Sequence, residues 1–326
     1  VKFTTLTSAI ALSAATLFAA TAANAEMTVD PSLPSYEATT GVSGNLNSIG
    51  SDTLNNLMTL WAEGFRGFYP NVQIEIQGAG SGTAPPALVQ GTAQFGPMSR
   101  AMRGTEIEEF EARYGYPPIP IRGAIDALGV FVHKDNPIEC LSLQQVDAIF
   151  SSTRNGGADA PINTWGDLGM TGEWASRPLA LYGRNSASGT YGYFKEVALF
   201  DGDFRSEVRE QPGSSTVVQG VGSDIAAIGY SGIGYMTADV RAVPLSHDGD
   251  CFEATGENAA AGDYPLARFL YIYVNKNPNE ALEPLRGEFI RFVYSQEGQA
   301  AVLRAGFFPL VKAIADQDLE AFALTQ

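Results

Sequence analysis

The sequence predicts an α/β protein of two domains. Three observations carry this. Once an export signal is set aside, about 300 residues remain, more than one hydrophobic core usually serves. Early in that stretch a strand, a helix and a strand follow one another, the unit from which parallel sheets are built. Farther on, two β-rich runs resemble each other, each ending in an x-Asn-Pro turn, where a chain could cross between domains and later return.

In chain order, Val1-Lys2-Phe3 supplies one positive charge, an apolar, Ala-rich stretch runs from Ile10 to about Ala20, and Ala23-Asn24-Ala25 gives a small-x-small cleavage pattern. Residues 1–25 therefore read as a secretory signal cleaved after Ala25, and no later apolar run approaches the length of a membrane span. Residues 26–44, rich in Thr, Ser, Pro and Gly, read as an irregular leader. Leu46 to Ile49 is a short strand, Gly50-Ser51-Asp52-Thr53 a turn, and Leu54, Leu57, Met58, Trp61, Phe65 and Phe68 fall at helical spacing. Val72, Ile74 and Ile76 alternate as a strand. Gly78 to Thr83 is a second turn, before a short helix whose first turn suits Pro85 and Pro86. Thr105-x-x-Glu108 and Ser142-x-x-Gln145 read as capping boxes opening further helices. Ser188-Gly189-Thr190 precedes the helical stripe Tyr191, Phe194, Val197 and Ala198. These stripes are core packing and carry no chemistry. The two similar runs are Ala127-Leu128-Gly129-Val130-Phe131-Val132, leading to Asn136-Pro137, and Phe269-Leu270-Tyr271-Ile272-Tyr273-Val274, leading to Asn277-Pro278. They suggest paired hinge strands.

Composition narrows the function. The 326 residues hold 20 Lys and Arg against 36 Asp and Glu; removal of the signal, with Lys2, leaves 19 against 36, a balance of −17. Such a chain lacks the basic face that nucleic acid or an anionic membrane requires. With 45% hydrophobic and 17% charged residues it has the composition of a folded protein. Two cysteines, Cys140 and Cys251, in an oxidising compartment suggest one disulfide, the alternative being two separate buried thiols. The only histidines, His133 and His247, stand alone, and no metal site or cofactor is expected. There is no Gly-x-Ser-x-Gly elbow, Walker A motif or His-Glu-x-x-His, so no catalytic residue is assigned and the protein does not read as an enzyme.

The chemistry concentrates in four loops, each of small, hydroxyl-bearing residues immediately before a helical pattern: Gly50 to Thr53, Gly80 to Thr83, Met98-Ser99-Arg100, and Arg184 to Thr190. A helix start presents unpaired N–H groups and a partial positive charge, glycine allows close backbone approach, and hydroxyls add short donors. Any one loop is explained by ordinary N-capping. Four in one chain, two of them carrying an arginine, point to a small oxyanion.

These loops resemble the periplasmic phosphate-binding proteins of high-affinity phosphate ABC transporters (PstS-like). Gly183-Arg184-Asn185-Ser186-Ala187-Ser188-Gly189-Thr190-Tyr191 is similar to that family's Arg…Ser-Gly-Thr phosphate loop. Ile49 to Thr53 resembles its first loop and Gly80 to Thr83 its second. Ala226-Ala227-Ile228-Gly229-Tyr230, Ser295 to Gln299 and Gly306-Phe307-Phe308-Pro309-Leu310 match later landmarks in family order. The resemblance implies a two-lobed type II periplasmic binding protein, with two hinge strands and the ligand cleft between the lobes. The lobes are expected at 45–128 with 271–326, and at 129–270. Carried over, Thr53 and the backbone of Leu54 touch phosphate from the first loop and Ser81 from the second, while Arg184, Ser188, Gly189 and Thr190 act from the other lobe. One departure stands out. Where the family pattern has an Asp after Phe-Gly, Phe95-Gly96-Pro97-Met98-Ser99-Arg100 offers Ser99 and Arg100. Asp52 is then the expected acceptor of the proton on hydrogen phosphate, with Arg100 adding a second cation or pairing with Asp52. Sulfate, having no such proton near neutral pH, is repelled.

The resulting expectation is a periplasmic, monomeric protein that captures inorganic phosphate by hinge closure and delivers it to permease subunits in the inner membrane. Two alternatives remain: a receptor for another oxyanion (sulfate, molybdate or an organic phosphate), and a secreted phosphate-ester hydrolase or adhesion protein on the same fold.

Overall fold

The computed structural model of the chain describes residues 27–247 and 249–324, so the expected signal at 1–25 lies outside the described residues. The strands described are β1 Gly44–Ile49, β2 Val72–Gln77, β3 Phe95–Met98, β4 Ile119–His133, β5 Leu141–Ser142 and β6 Ala180–Arg184. β7 Arg209–Gln211, β8 Ala227–Gly232, β9 Val240–Ala242, β10 Leu245–Ser246 and β11 Ala267–Val274 follow. One mixed sheet runs β2-β1-β3-β11-β4-β8-β6-β7, with β9 also on β4, while β5 and β10 pair separately. No helix among the described residues is long and apolar enough to cross a membrane.

The first strand–helix–strand unit forms as the apolar spacing requires. β1 and β2 pair in parallel from Gly44↔Val72 to Ile49↔Gln77, and helix Asn55–Phe68 connects them. Its Leu57, Met58, Trp61 and Phe65 are buried on one face, and the Trp61 indole N–H donates to the Gly298 carbonyl at 2.8 Å. Phe68, the last member of the stripe, is 38% exposed, because the helix runs out there; its ring edge meets Tyr36 with centroids 4.9 Å apart. Residues 27–43 contain no helix or strand, yet Leu33 and Tyr36 are buried in the core, so this segment is irregular in backbone but packed.

β4 organises the molecule. Its residues 119–127 pair antiparallel with β11, from Val274↔Ile119 to Ala267↔Ala127; its residues 128–132 pair with β8, from Leu128↔Gly232 to Val132↔Ile228. The chain thus leaves the first half of the sheet at Ala127/Leu128. It returns at Leu266/Ala267, where the Leu128 N–H donates to the Leu266 carbonyl at 3.0 Å. The two similar runs do not pair with each other: Ala127 faces Ala267, just before the second run, Phe269 faces Ile125, just before the first, and from there they diverge along different halves of the sheet. A third segment joins the crossing, since Ile125 and Phe308 exchange backbone hydrogen bonds of 2.9 and 3.0 Å. In the second half, β6 lies between β7 and β8, all parallel. The Tyr230 ring stacks on Phe194 beneath them, with centroids 3.8 Å apart.

Local expectations divide. Ser142 and Gln145 form their reciprocal box, at 2.9 and 3.1 Å. The Thr105/Glu108 box does not exist, because the helix starts earlier, at Gly104, and puts Glu106 within reach of the free N–H of Arg103 at 2.8 Å. Cys140 and Cys251 are joined as a disulfide, with Cα atoms 6.2 Å apart, beside the β5–β10 pair.

Candidate functional site

The four loops converge at the crossing between the halves. From the first half come Ser51, Thr53 and Leu54 after β1, Ser81 before helix Ala84–Gln90, and Ser99 after β3. From the second come Ser188, Gly189 and Thr190, opening helix Gly189–Val197 after β6. Ser51, Thr53, Leu54, Ser81, Ser99, Ser188 and Thr190 are all buried. The hydroxyls of Ser51, Thr53, Ser81, Ser99 and Thr190 form one connected cluster. Ser51 Oγ donates to Ser99 Oγ at 3.0 Å, Ser81 and Ser99 lie 3.3 Å apart, Ser99 and Thr190 3.4 Å, and Thr53 and Thr190 2.9 Å. The last two contacts join the halves. Two glycines make this approach possible. Gly80 has φ +112°, and a Cβ there would lie 2.6 Å from the Ala187 carbonyl oxygen across the interface. A Cβ on Gly189 would lie 2.2 Å from Ser81 Oγ.

Arg184, at the end of β6 and 1% exposed, provides a buried charge beside this cluster. Its Nη1 donates to Ser214 Oγ at 2.7 Å and its Nη2 to the Pro212 carbonyl at 2.9 Å; Nη2 also lies 3.2 Å from Asp52 Oδ2. Its Nε is buried and has no hydrogen-bond partner, which leaves one donor uncommitted. Burial lowers the Arg184 pKa from its usual value and the Asp52 charge opposes this; a guanidinium still remains cationic at physiological pH. Asp52 is held in turn, with Oδ2 accepting from the Ser214 N–H at 2.8 Å. Tyr235 donates to the backbone carbonyls of Asp52 at 2.8 Å and Thr53 at 3.2 Å, so the second half braces the first loop. Burial raises the Tyr235 pKa, which keeps the phenol a donor at neutral pH.

Arg100 departs from one of the two roles expected of it. It does not pair with Asp52: its two terminal nitrogens grip Glu106 at 2.8 and 2.6 Å. Glu106 is drawn there because the helix start at Gly104 places its carboxylate on the Arg100 side of the turn. Burial pushes the Glu106 pKa up, but the Arg100 guanidinium and the Arg103 N–H outweigh it, and the net shift is downward.

A different arginine reaches the cluster. Arg268 on β11 lies directly opposite Asp126 on β4, and its Nε and Nη2 grip Asp126 Oδ2 at 2.9 and 2.7 Å. Nη2 also donates to Thr190 Oγ1 at 2.9 Å, and Nη1 to the Ser99 carbonyl at 2.7 Å. Asp126 is completely buried. Sequence reasoning missed this pair, along with Ser214 and Tyr235. The available signal was a single charge immediately before each of the two similar runs, Asp126 and Arg268, set among apolar neighbours.

Hydroxyls, helix-start N–H groups and buried guanidinium together suit a compact acceptor with several oxygens. Comparison with known proteins agrees with that chemistry. The PBP superfamily domain profile matches residues 35–297. The chain is 56% identical over 305 residues to the phosphate-binding protein PstS of Pseudomonas aeruginosa, covering 93% of this chain and 94% of that one. A Clostridium perfringens structure, assigned as a phosphate ABC transporter substrate-binding protein and solved with bound phosphate, is 27% identical with a TM-score of 0.67. The match covers 82% of this chain and all of that one. An ABC-type phosphate transport receptor from Vibrio cholerae, 22% identical, shares the fold with a TM-score of 0.63 over 81% of this chain and 100% of that one.

Proposed function

This chain belongs to the PstS phosphate-binding family within the PBP superfamily, and from that premise we propose that it captures inorganic phosphate between its two lobes for an ABC transporter. The observation that carries this reading is the meeting of Ser51, Thr53, Ser81 and Ser99 with Thr190 from the opposite lobe, beside the buried Arg184. Ser188 accepts from the N–H groups of Thr190 at 3.1 Å and Tyr191 at 3.4 Å, which aims its own proton outward. Capture replaces the water around the anion with fixed dipoles from both lobes, so ligand binding favours the closed arrangement.

In this proposal the lobes are 45–128 with 271–326, and 129–270; the pairing switch at Ala127/Leu128 and Leu266/Ala267 supports crossings close to those boundaries. Thr53, the Leu54 backbone, Ser81, Ser99, Arg184, Ser188, Gly189 and Thr190 contact phosphate. Asp52 accepts the phosphate proton through Oδ1, the oxygen not taken by Ser214 and Arg184. The protein acts as a periplasmic monomer after removal of residues 1–25, hands its ligand to permease subunits, and binds without turnover. Calorimetry with phosphate, sulfate and arsenate tests this, on mature protein unfolded and refolded to strip retained ligand. Phosphate alone binding tightly is the expected result; preference for sulfate would move the protein to another oxyanion, and hydrolysis of a chromogenic phosphate ester would make it an enzyme.

A further inference from the structure

We propose that Arg268, clamped by Asp126, is a positioning residue of this oxyanion site: it fills an acceptor position of the Thr190 hydroxyl and so turns that hydroxyl's single proton away from the hinge and into the cleft that receives the anion. The inference rests on the phosphate-receptor reading above and adds a residue and a mechanism to it. A threonine hydroxyl has one proton to give and two lone pairs to receive with, and its rotation ordinarily leaves its role open. Here the donor on one side is fixed. Arg268 Nη2, 2.9 Å from Thr190 Oγ1, can only donate, so the Thr190 proton points away from it. In this structure it points toward Thr53 Oγ1 at 2.9 Å or Ser99 Oγ at 3.4 Å, and toward the anion once one is bound among them.

The guanidinium has no freedom to withdraw. Two of its nitrogens hold Asp126 Oδ2 at 2.9 and 2.7 Å, and the other Asp126 oxygen accepts from the Ile233 N–H at 3.0 Å. Nη1 is tied to the Ser99 carbonyl at 2.7 Å. The Tyr193 ring lies 5.1 Å from the guanidinium carbon, and the Tyr193 hydroxyl donates to the carbonyl of Ala267, the residue before Arg268. The side chain is 3% exposed. Because Asp126 neutralises it, Arg268 gives the site direction without adding net charge.

Two further hydroxyls are arranged in the same sense. Ser81 Oγ accepts from the Ser99 N–H at 3.0 Å, and Ser188 Oγ accepts from Thr190 and Tyr191. Thr190 differs in that its donor is a side chain on the return hinge strand. That donor also holds Ser99, in the first lobe, while Thr190 belongs to the second. Arg268 therefore links proton direction at Thr190 to the closed relation of the lobes.

A double-mutant cycle tests this, using full-length mature protein, phosphate titration by calorimetry, and thermal unfolding without phosphate as the fold control. Arg268→Lys keeps a charge beside Asp126 but loses the planar fork. It is expected to weaken phosphate binding about tenfold, and Thr190→Val by at least about tenfold, as for lost charge-assisted contacts. The double variant is expected to bind no more weakly than Thr190→Val alone, since the lysine change acts through the hydroxyl. Thr190→Ser, which keeps the hydroxyl, should restore near wild-type affinity and sensitivity to Arg268→Lys. If Arg268→Lys does not fold, Arg268→Gln takes its place in the same cycle. Strict additivity, or unchanged affinity in the folded Arg268 variant, overturns the role given to Arg268 while leaving the receptor reading intact. A wild-type protein that binds no phosphate overturns both.

Discussion

Replacing Asp52 with Asn should collapse the preference for phosphate over sulfate. The perturbation is nearly isosteric: the amide oxygen can still accept from the Ser214 N–H, now 2.8 Å from Oδ2. What disappears is a negative charge 3.2 Å from the Arg184 guanidinium. At an effective dielectric constant of about 20, that distance corresponds to a gross attraction of about 5 kcal/mol, much of it offset by desolvation, since Asp52 is 23% exposed and Arg184 only 1%. Two effects on binding follow with opposite signs. Hydrogen phosphate exchanges a charge-assisted acceptor for a neutral one, a loss of about 1 kcal/mol. Sulfate, which has no proton to share, is freed from a repulsion of at least about 1–2 kcal/mol. The ratio of affinities should therefore fall by about 2–3 kcal/mol, or roughly a hundredfold. Paired calorimetric titrations near neutral pH on stripped protein measure the ratio directly. Equal weakening of both anions would reduce Asp52 to a support for Arg184, and an unchanged ratio would refute the proton-acceptor argument.

Gly189→Ala should weaken phosphate binding about tenfold to a hundredfold, because its methyl would sit 2.2 Å from Ser81 Oγ and 2.7 Å from Ser99 Oγ. Its unfolding midpoint without phosphate should barely move, since separating the lobes relieves the clash; wild-type affinity would show that closure is looser than described. Glu106→Gln should cost about 2 kcal/mol at neutral pH through the lost Arg100 grip. Because the folded pKa of Glu106 is lowered, wild-type stability from this group is complete above the ordinary glutamate range. It drains away as pH falls through the folded value, so the two urea-unfolding curves should converge in acid; a pH-independent gap would refute it. Replacing both cysteines by Ser should lower unfolding free energy by about 2–5 kcal/mol, because the disulfide joins positions 111 residues apart, and an unchanged urea midpoint would contradict this.

What was readable in the sequence followed local rules. Ser142 and Gln145, Pro85 and Pro86, and the stripe through Leu57, Met58, Trp61 and Phe65 depend on neighbours within a few positions, and each sits as its spacing requires. The Gly-, Ser- and Thr-rich loops were legible because a strand-to-helix turn that approaches a ligand needs small residues. Partner choice was not legible. Arg100 pairs with Glu106, six residues on, because of where the helix starts. The Arg268–Asp126 contact spans 142 residues and depends on the antiparallel register of β11 on β4, which periodicity cannot supply. Thr105 and Glu108 carried the right residue types two positions too late.

The shared strand β4 also dictates an order of assembly. The first lobe's sheet fragment β2-β1-β3 is made from residues 44–98, but its next strand, β11, begins only at Ala267. While the chain emerges from its N-terminus, β3 remains an exposed edge, a template for wrong pairing. The second lobe, an insertion between the two crossings, can finish β6, β7 and β8 from contiguous sequence while the first waits. Final closure of the first sheet is therefore a long-range, slow event. It sets Arg268 against Asp126 in the same act, so the binding site matures last, after both halves exist to be joined.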